Sequence, residues 1–568
     1  MELCNAGLQM AVVVVALAGV AMCAYGAAPE VPDAEQELLN TVDPWGLPFS
    51  DQLIRFEGHF AQSEDAPFAI GVTHDLVKVW PVKYWFRGQT TPADADAPLM
   101  ARERWAAAGQ TQAFQIVALP RMGAEEATYT ISVDAPGAQM RVYREVFVTT
   151  SEGAAYPRYA SARWPDPLLP ETQVTVGGAD CGVFWVDVQI PADAPAGTLH
   201  CAVSVSAGDS VAQAIVPIRV VPGLELDAKA YPFVAWFRRH KMTQEQYQDH
   251  CALVLEHHMV PIDALKGQWD PENPGKLDAM RAFLEAHGQR VFEVDSPRTM
   301  KERFDALYEH LKKMGWLSDT WVYSHDEPDA AMWREKNLPF MRMVREKYPG
   351  LQVYVASDWH ENMHEGVDAW MTDISASGYD PEKHRTLHRP QLWHYYCHLP
   401  VRWQMRAPLV QAPNLQIDNP AVEARLAVWM SHYYGAHAVF IWSGNAYTFA
   451  DDFWQTLTLS DKPSGFPYAG VHNGNGWVVY PSPEGGGTVP SVRLKLIRAG
   501  LEDIAIMRAA RRLLQDSTVT GARARRLRRL LDPVPDVFVH PQYFDRTPDA
   551  LLGKRRALLE FLSEQGGR

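Results

Sequence analysis

Cysteine is scarce in this chain, with six among 568 residues and no CxxC spacing, so neither a disulfide scaffold, a zinc ribbon nor a thioredoxin-type site is indicated. Positive charge is the minority sign. Against 68 Asp and Glu there are 53 Lys and Arg, giving a net charge of −15 spread without long like-charge runs, a surface that repels phosphate backbones. That balance argues against nucleic acid as a partner. Long apolar runs are confined to Leu8–Met22, and nothing else approaches the roughly 20 apolar residues a membrane helix needs. What is abundant is apolar residues, at 47%, and tryptophan, at 19. The first allows two or three domains with cores and excludes disorder as the dominant state. The second serves cores first, but large flat rings also stack on the C–H faces of sugars.

Leu8–Met22 is followed by the small-x-small triplet Ala24, Tyr25, Gly26 and by Ala27 and Ala28, so residues 1–28 read as a secretory signal peptide and the chain as secreted or periplasmic. One feature disagrees: no Lys or Arg precedes Arg55, and Glu2 is acidic. An uncleaved anchor and a misassigned start stand beside the first reading. No other membrane contact is expected. In an exported chain Cys181 and Cys201 are close enough in sequence for a hairpin disulfide, with free thiols as the alternative, while Cys251 and Cys397 read as packed interior residues.

Residues 29–67 read as a partly irregular N-terminal segment. From 68 to 225 the pattern is alternation: Phe114, Ile116, Ala118; Tyr129, Ile131, Val133; Phe184, Val186, Val188, Ile190. Period two broken by Gly, Pro and Asp clusters predicts an antiparallel β-sandwich, with Trp185 and Asp187 facing away from the Val186 and Val188 row. Over 226–568 short apolar strands alternate with helical periods. Eight candidate strands start at Phe233, Met259, Arg290, Trp321, Gln352, Val367, Gln391 and His437. Thr243 and Gln246 have capping-box spacing before a helix carrying Tyr247, Cys251 and Val254. Eight βα units predict a (β/α)8 TIM-like barrel with a C-terminal helical extension and active groups at the carboxyl ends of the strands. The Arg-rich stretch Ala522–Arg529 reads as a solvated helix face.

The carboxyl ends of these strands carry Arg238, Asp263, Glu293 and Asp295, Asp326 and Glu327, Asp358, Asp373, Tyr395 and Trp442. An acidic, aromatic mouth suits a neutral polyhydroxy substrate. Singly, each acid has a plainer reading as a loop cap or ion pair, preferred for Asp263 and Asp373. The strongest local signal is Ser324-His325-Asp326-Glu327-Pro328. Adjacent acids in a strand point to opposite faces, so two that serve one pocket must sit where the strand turns into its loop. Pro328 ends the strand there by disfavouring helical geometry at Glu327 and removing a ladder donor. Many barrel glycosidases place a nucleophilic carboxylate at the end of strand seven; here that strand is QLWHYYCHLP, with Trp393 and Tyr395 but no acid. A 2-acetamido group on the substrate fills the vacancy: its carbonyl oxygen attacks the anomeric carbon, Asp326 orients the amide, Tyr395 holds the carbonyl, and Glu327 protonates the leaving oxygen with a pKa raised for that task.

Several segments together resemble glycoside hydrolase family 123 and its relatives sharing the same catalytic domain: FWVDVQIPADAPAGTLHCAVSV, SHDEPD, LWHYYCHLP, AVFIWSGNAY and GNGWVVYPSPEGGGTVPSVRLKLIRAGLEDIAIM. The resemblance implies a retaining, substrate-assisted β-N-acetylgalactosaminidase, a β-N-acetylhexosaminidase-class enzyme that needs no cofactor or metal and releases terminal N-acetylgalactosamine from a carbohydrate partner. By motif position it gives the acid-pair roles to Asp326 and Glu327, the acetamido-holding role to Tyr395 and a pocket wall to Trp442. Arg238, Asp263, Glu293 and Trp393 join them as substrate-binding candidates. His394 stands where the family often has a second Trp.

Three rivals remain open. His360-Glu361-Asn362-Met363-His364 matches the zinc-hydrolase pattern, which needs a helix to bring both His to one face. A two-carboxylate β-glycosidase of other sugar specificity would use Asp358 or Glu293 as nucleophile. A non-catalytic glycan-binding relative has no need of the retained acid pair.

Overall fold

The structure is a computed structural model that describes residues 60–62, 67–79, 90–92, 98–121, 124–149, 163–177, 180–239, 242–357, 365–374, 390–396, 412–417, 419–446, 474–485, 487–541 and 543–566. The signal-like segment, most of 29–67, Asp358, His360–His364 and Cys397 lie outside the described residues.

The alternating region forms two packed sheets. One runs 90–92, 60–62, 68–74, 111–120, 182–189, 139–149, 163–169; the other runs 173–176, 127–134, 197–207, 210–221, 99–100. Phe114, Ile116, Phe184, Val186 and Val188 interdigitate with Ile131, Val203, Val205, Val216 and Ile218, so the period-two rows meet between the sheets. Cys201 lies in that interior and Cys181 in a separate apolar cluster on the other face of its sheet, so both are buried free thiols rather than a hairpin disulfide. Burial pushes the Cys201 thiol up to about 12.

Glu145 is an exception in the sandwich. It is buried with no hydrogen bond to either carboxylate oxygen, and burial, with Asp166 adding repulsion, pushes its carboxyl up to about 8. An acid whose folded pKa is raised destabilises the fold as pH climbs from its unfolded value of about 4.3, because unfolding releases the buried proton. Glu145→Gln is therefore expected to raise the thermal unfolding midpoint, with a gain that grows between about pH 5 and pH 8. A gain of constant size across that window would remove the buried-acid explanation.

The second region is an eight-stranded parallel sheet: β1 (Phe233–Ala235), β2 (Met259–Pro261), β3 (Phe292–Glu293), β4 (Thr320–Tyr323), β5 (Gln352–Ala356), β6 (Ala369–Asp373), β7 (Gln391–Tyr396) and β8 (Ala438–Ile441). Their order is β2-β1-β8-β7-β6-β5-β4-β3, so successive strands neighbour one another as in a barrel. The expected closed barrel is corrected at one seam. The two residues of β3 ladder with β4 and not with β2, and among the described residues the sheet's edges meet through a single backbone hydrogen bond from Glu293 N to Ile262 O, 2.7 Å. The result is a curled sheet, laddered everywhere except between β2 and β3.

Helices α1 (Gln244–Glu256), α2 (Gly275–Ala286), α3 (Arg303–Met314), α4 (Leu338–Lys347) and α5 (Ala421–Tyr433) lie between strands; α6 (Val492–Gln515), α7 (Gly521–Leu531) and α8 (Pro548–Gly566) come after them. At α1 both halves of the capping box form, Gln246 N to Thr243 Oγ1 at 3.2 Å and Thr243 N to Gln246 Oε1 at 2.9 Å, and Tyr247, Cys251 and Val254 are buried. On α7, Ala524, Leu527 and Leu531 are buried while Arg525, Arg528 and Arg529 are exposed, as a solvated basic face requires. Among the described residues no helix is long and apolar enough to cross a membrane.

Helix α6 joins the two regions. The outward row of the sandwich, Trp185 and Asp187, is buried against it: Trp185 Nε1 donates to Asp187 Oδ1 (2.8 Å), and Lys495 Nζ and Arg498 Nη2 each reach the Asp187 carboxylate at 2.7 Å. Burial alone would raise this carboxyl, but Arg498 and Lys495 outweigh burial and hold it below the ordinary range. Asp166 likewise receives Arg493, and Arg425 bridges Asp75 and Asp503. Charges so buried require partners in both regions, since losing one partner of a buried pair costs about 3–5 kcal/mol. The sandwich is thereby fixed to the sheet that carries the acid pair.

Candidate active site

The apolar strand β4 stops at Tyr323, and the chain from Ser324 to Glu327 leaves the ladder for a definable reason. Ser324 N donates to Tyr354 O (3.1 Å) and Glu327 N donates to Ala356 O (3.0 Å), so the chain advances three residues along β4 for two along β5. One extra residue is accommodated, as in a bulge. Glu327 absorbs the distortion with φ +38°, in the left-handed region that non-glycine residues seldom occupy. Buried Asn337 holds the turn from below, its Nδ2 donating to Ser324 Oγ and to His325 O, both at 3.1 Å. It ends the π-helical turn Trp333–Asn337, a local widening that recurs near functional sites. Arg298 Nη1 lies 2.9 Å from His325 Nδ1, and burial followed by the Arg298 and Lys336 charges lowers the imidazole pKa. Asp326 and Glu327 are both exposed past the last regular strand pair.

Beneath them the sheet interior is aromatic. Trp236, Trp321, Tyr323, Tyr354, Trp393 and Phe440 pack in one cluster, with Tyr395 and Trp442 at its edge. Trp393 is 2% exposed, its ring 5.1 Å from Trp321 and 5.3 Å from Tyr354, so it floors the site rather than walling it. Glu293, expected at the mouth, is fully buried: Trp236 Nε1 donates to Oε2 at 2.9 Å and Lys266 Nζ lies 2.5 Å from Oε1. Asp263 caps the backbone, accepting from Phe237 N at 2.7 Å. Burial raises its carboxyl to about 7, Lys266 opposing and nearby Glu293 adding to the rise. Arg238 is exposed, with its backbone N–H on Asn445 Oδ1 at 2.9 Å.

Tyr395 pairs in register with Asp373 and Phe440, and its ring is 5.5 Å from that of Phe440. Trp442 is half-buried and donates from Nε1 to Asn475 Oδ1 at 2.9 Å. Gly476 has φ +84° and lies flat on the indole, where a Cβ would collide with the ring. The GNGW motif is thus what sets Trp442 in place. Because the strands are parallel, Arg238, Asp263, Glu293, Asp326, Glu327, Tyr395 and Trp442 gather at one end of the sheet, with Trp393 a layer below. Reading strand ends alone missed Trp236, Lys266, Tyr323 and Tyr354. Period two along β4 could have found Tyr323, which joins Trp321 in the interior.

A curled parallel sheet carries two adjacent acids beyond its fourth strand and an aromatic floor beneath them, at the end where barrel enzymes place their active groups. Residues 257–510 match the model of the glycoside hydrolase 123 catalytic domain, so glycoside hydrolase is the class of protein this part of the chain resembles. In solved structures the chain is similar to a family 123 glycoside hydrolase from Clostridium perfringens, described for glycolipid glycan hydrolysis. The identity is 10%, the coverage 88% of this chain and 97% of that one, and the TM-score 0.61, a likeness of fold. An apo β-glucuronidase 3 from Bacteroides uniformis also matches, 8% identical over 60% of this chain and 46% of that one, with a TM-score of 0.22 that carries no argument. No curated protein matches the chain.

Proposed function

We propose that the protein is a retaining, exo-acting glycoside hydrolase that releases terminal β-linked N-acetylgalactosamine by substrate-assisted catalysis. The observation that carries this reading is the bulged end of β4, where Asp326 and Glu327 stand side by side beyond the ladder, while the described part of β7 offers Tyr395 and no carboxylate. The acetamido oxygen attacks the anomeric carbon as Glu327 gives its proton to the departing glycosidic oxygen, forming an oxazolinium ion. Water then attacks the same carbon, losing a proton to Glu327 and reopening the ring; two inversions give net retention. Asp326 accepts from the amide N–H and offsets the developing positive charge, and Tyr395 donates to the carbonyl oxygen before it attacks. Trp442 supplies a stacking face, and Arg238 and Asp263 reach sugar hydroxyls. The glycan of a glycolipid is a fitting substrate class by similarity to the Clostridium perfringens enzyme, and export to the periplasm or medium fits such a role.

The test is a panel of aryl β-glycosides. Hydrolysis of the 2-acetamido-2-deoxy-galactoside is expected to exceed that of the gluco epimer, and the corresponding galactoside without the acetamido group is expected to be left essentially intact. Equal rates on sugars with and without that group would replace substrate assistance with a protein nucleophile. Loss of turnover in EDTA would favour the metal reading of His360–His364.

A further inference from the structure

Asp326 is exposed, yet one of its oxygens is held from inside the sheet. The Tyr323 hydroxyl donates to Asp326 Oδ1, and the ring bearing that hydroxyl has almost no freedom. It is 8% exposed, meets Trp236 edge-on at 5.0 Å and lies 4.9 Å from Tyr354. Those two neighbours are themselves tied down, since Trp236 Nε1 donates both to buried Glu293 Oε2 at 2.9 Å and to the Tyr354 hydroxyl at 3.1 Å. Lys266 closes the far side of Glu293. A continuous buried column therefore runs from Lys266 and Glu293 through Trp236 and Tyr354 to the Tyr323 phenol and ends on Asp326.

We infer that Tyr323 is a positioning residue, a fixed phenol donor that holds one oxygen of Asp326 and turns the other toward the substrate. This rests on the assisted mechanism proposed above for what Asp326 then does, but not for the contact itself. Burial, followed by the charges of Asp326 and Glu293, keeps the phenol protonated far above its ordinary range, so at working pH it can only donate. A donor fixed on one oxygen leaves the second oxygen to accept an amide N–H. Because the phenol is preorganised by packing, no reorientation is needed when substrate arrives.

The test is Tyr323→Phe, which keeps the ring and its packing and removes one oxygen. Two readouts apply. On an aryl 2-acetamido glycoside kcat should fall about 10- to 100-fold with KM within about twofold. In the double variant with Asp326→Asn the phenol should add little further loss, because the carboxylate it acts through is already gone. An unchanged kcat in Tyr323→Phe overturns the inference. Losses that multiply in the double variant assign Tyr323 to packing alone, and also overturn it. A non-additive loss in an enzyme indifferent to the acetamido group instead sustains the inference and rejects the proposed chemistry.

Discussion

Asp326→Asn is expected to lower kcat on an aryl 2-acetamido β-glycoside by about 100- to 1,000-fold, the range found when one preorganised electrostatic partner of a transition state is removed. Two features set the direction. In the proposed mechanism the oxazolinium intermediate carries positive charge, which a neutral amide does not offset. In addition, the Tyr323 hydroxyl donates to Oδ1 and so fixes which atom of residue 326 faces the substrate. In the asparagine variant the phenol still selects the oxygen, which leaves the Nδ2 amino group facing the acetamido N–H. Two donors then oppose one another, and KM for the acetamido substrate should rise together with the fall in kcat. Because the electrostatic loss arises in forming the intermediate, an activated leaving group gives little relief. A near-normal rate on activated substrates would remove Asp326 from the mechanism, and a loss only in KM would reduce it to a binding group.

The parts of this site that were legible in the sequence are those governed by local rules. Alternation identified the sandwich, and its outward row, Trp185 and Asp187, was correctly separated from the inward one. What that row packs on was not legible, because Lys495 and Arg498 lie about three hundred residues away and nothing local marks them as its partners. The eight strands were readable from apolar runs, but the β2–β3 seam depends on how few residues of the Arg290 segment reach ladder geometry, which apolar character does not encode. The acid pair was located through Pro328 and the direction rule for adjacent strand residues. The extra residue that resolves the conflict, and the positive φ of Glu327, required β5 as a ruler. Glu293 shows the limit most clearly. An acid at a strand end reads as part of the mouth, whereas its indole and ammonium partners come from β1 and the loop after β2 and hold it inside.

Glu327→Gln should divide substrates by leaving group. On glycosides whose leaving oxygen is poor, general-acid help is worth about 100- to 10,000-fold, and most of that should disappear; on strongly activated aryl glycosides the first step should lose about tenfold or less. The substitution keeps side-chain length and places no new steric demand on the backbone at φ +38°, so the turn that also positions Asp326 should persist. In the proposed mechanism Glu327 also acts as base toward water, and this makes the prediction stricter. With an activated substrate the variant should form the oxazolinium ion readily and then stall, giving a burst of aryl release before a slow steady state. Azide needs no deprotonation, so it should restore turnover in the variant and leave the parent almost unaffected, yielding the β-glycosyl azide by the same two inversions. Uniform losses across leaving groups, or an azide product of α configuration, would take the acid–base role from Glu327. The proton would then have to come from elsewhere at the mouth, where Asp263, raised to about 7 by burial, is the carboxyl to test next.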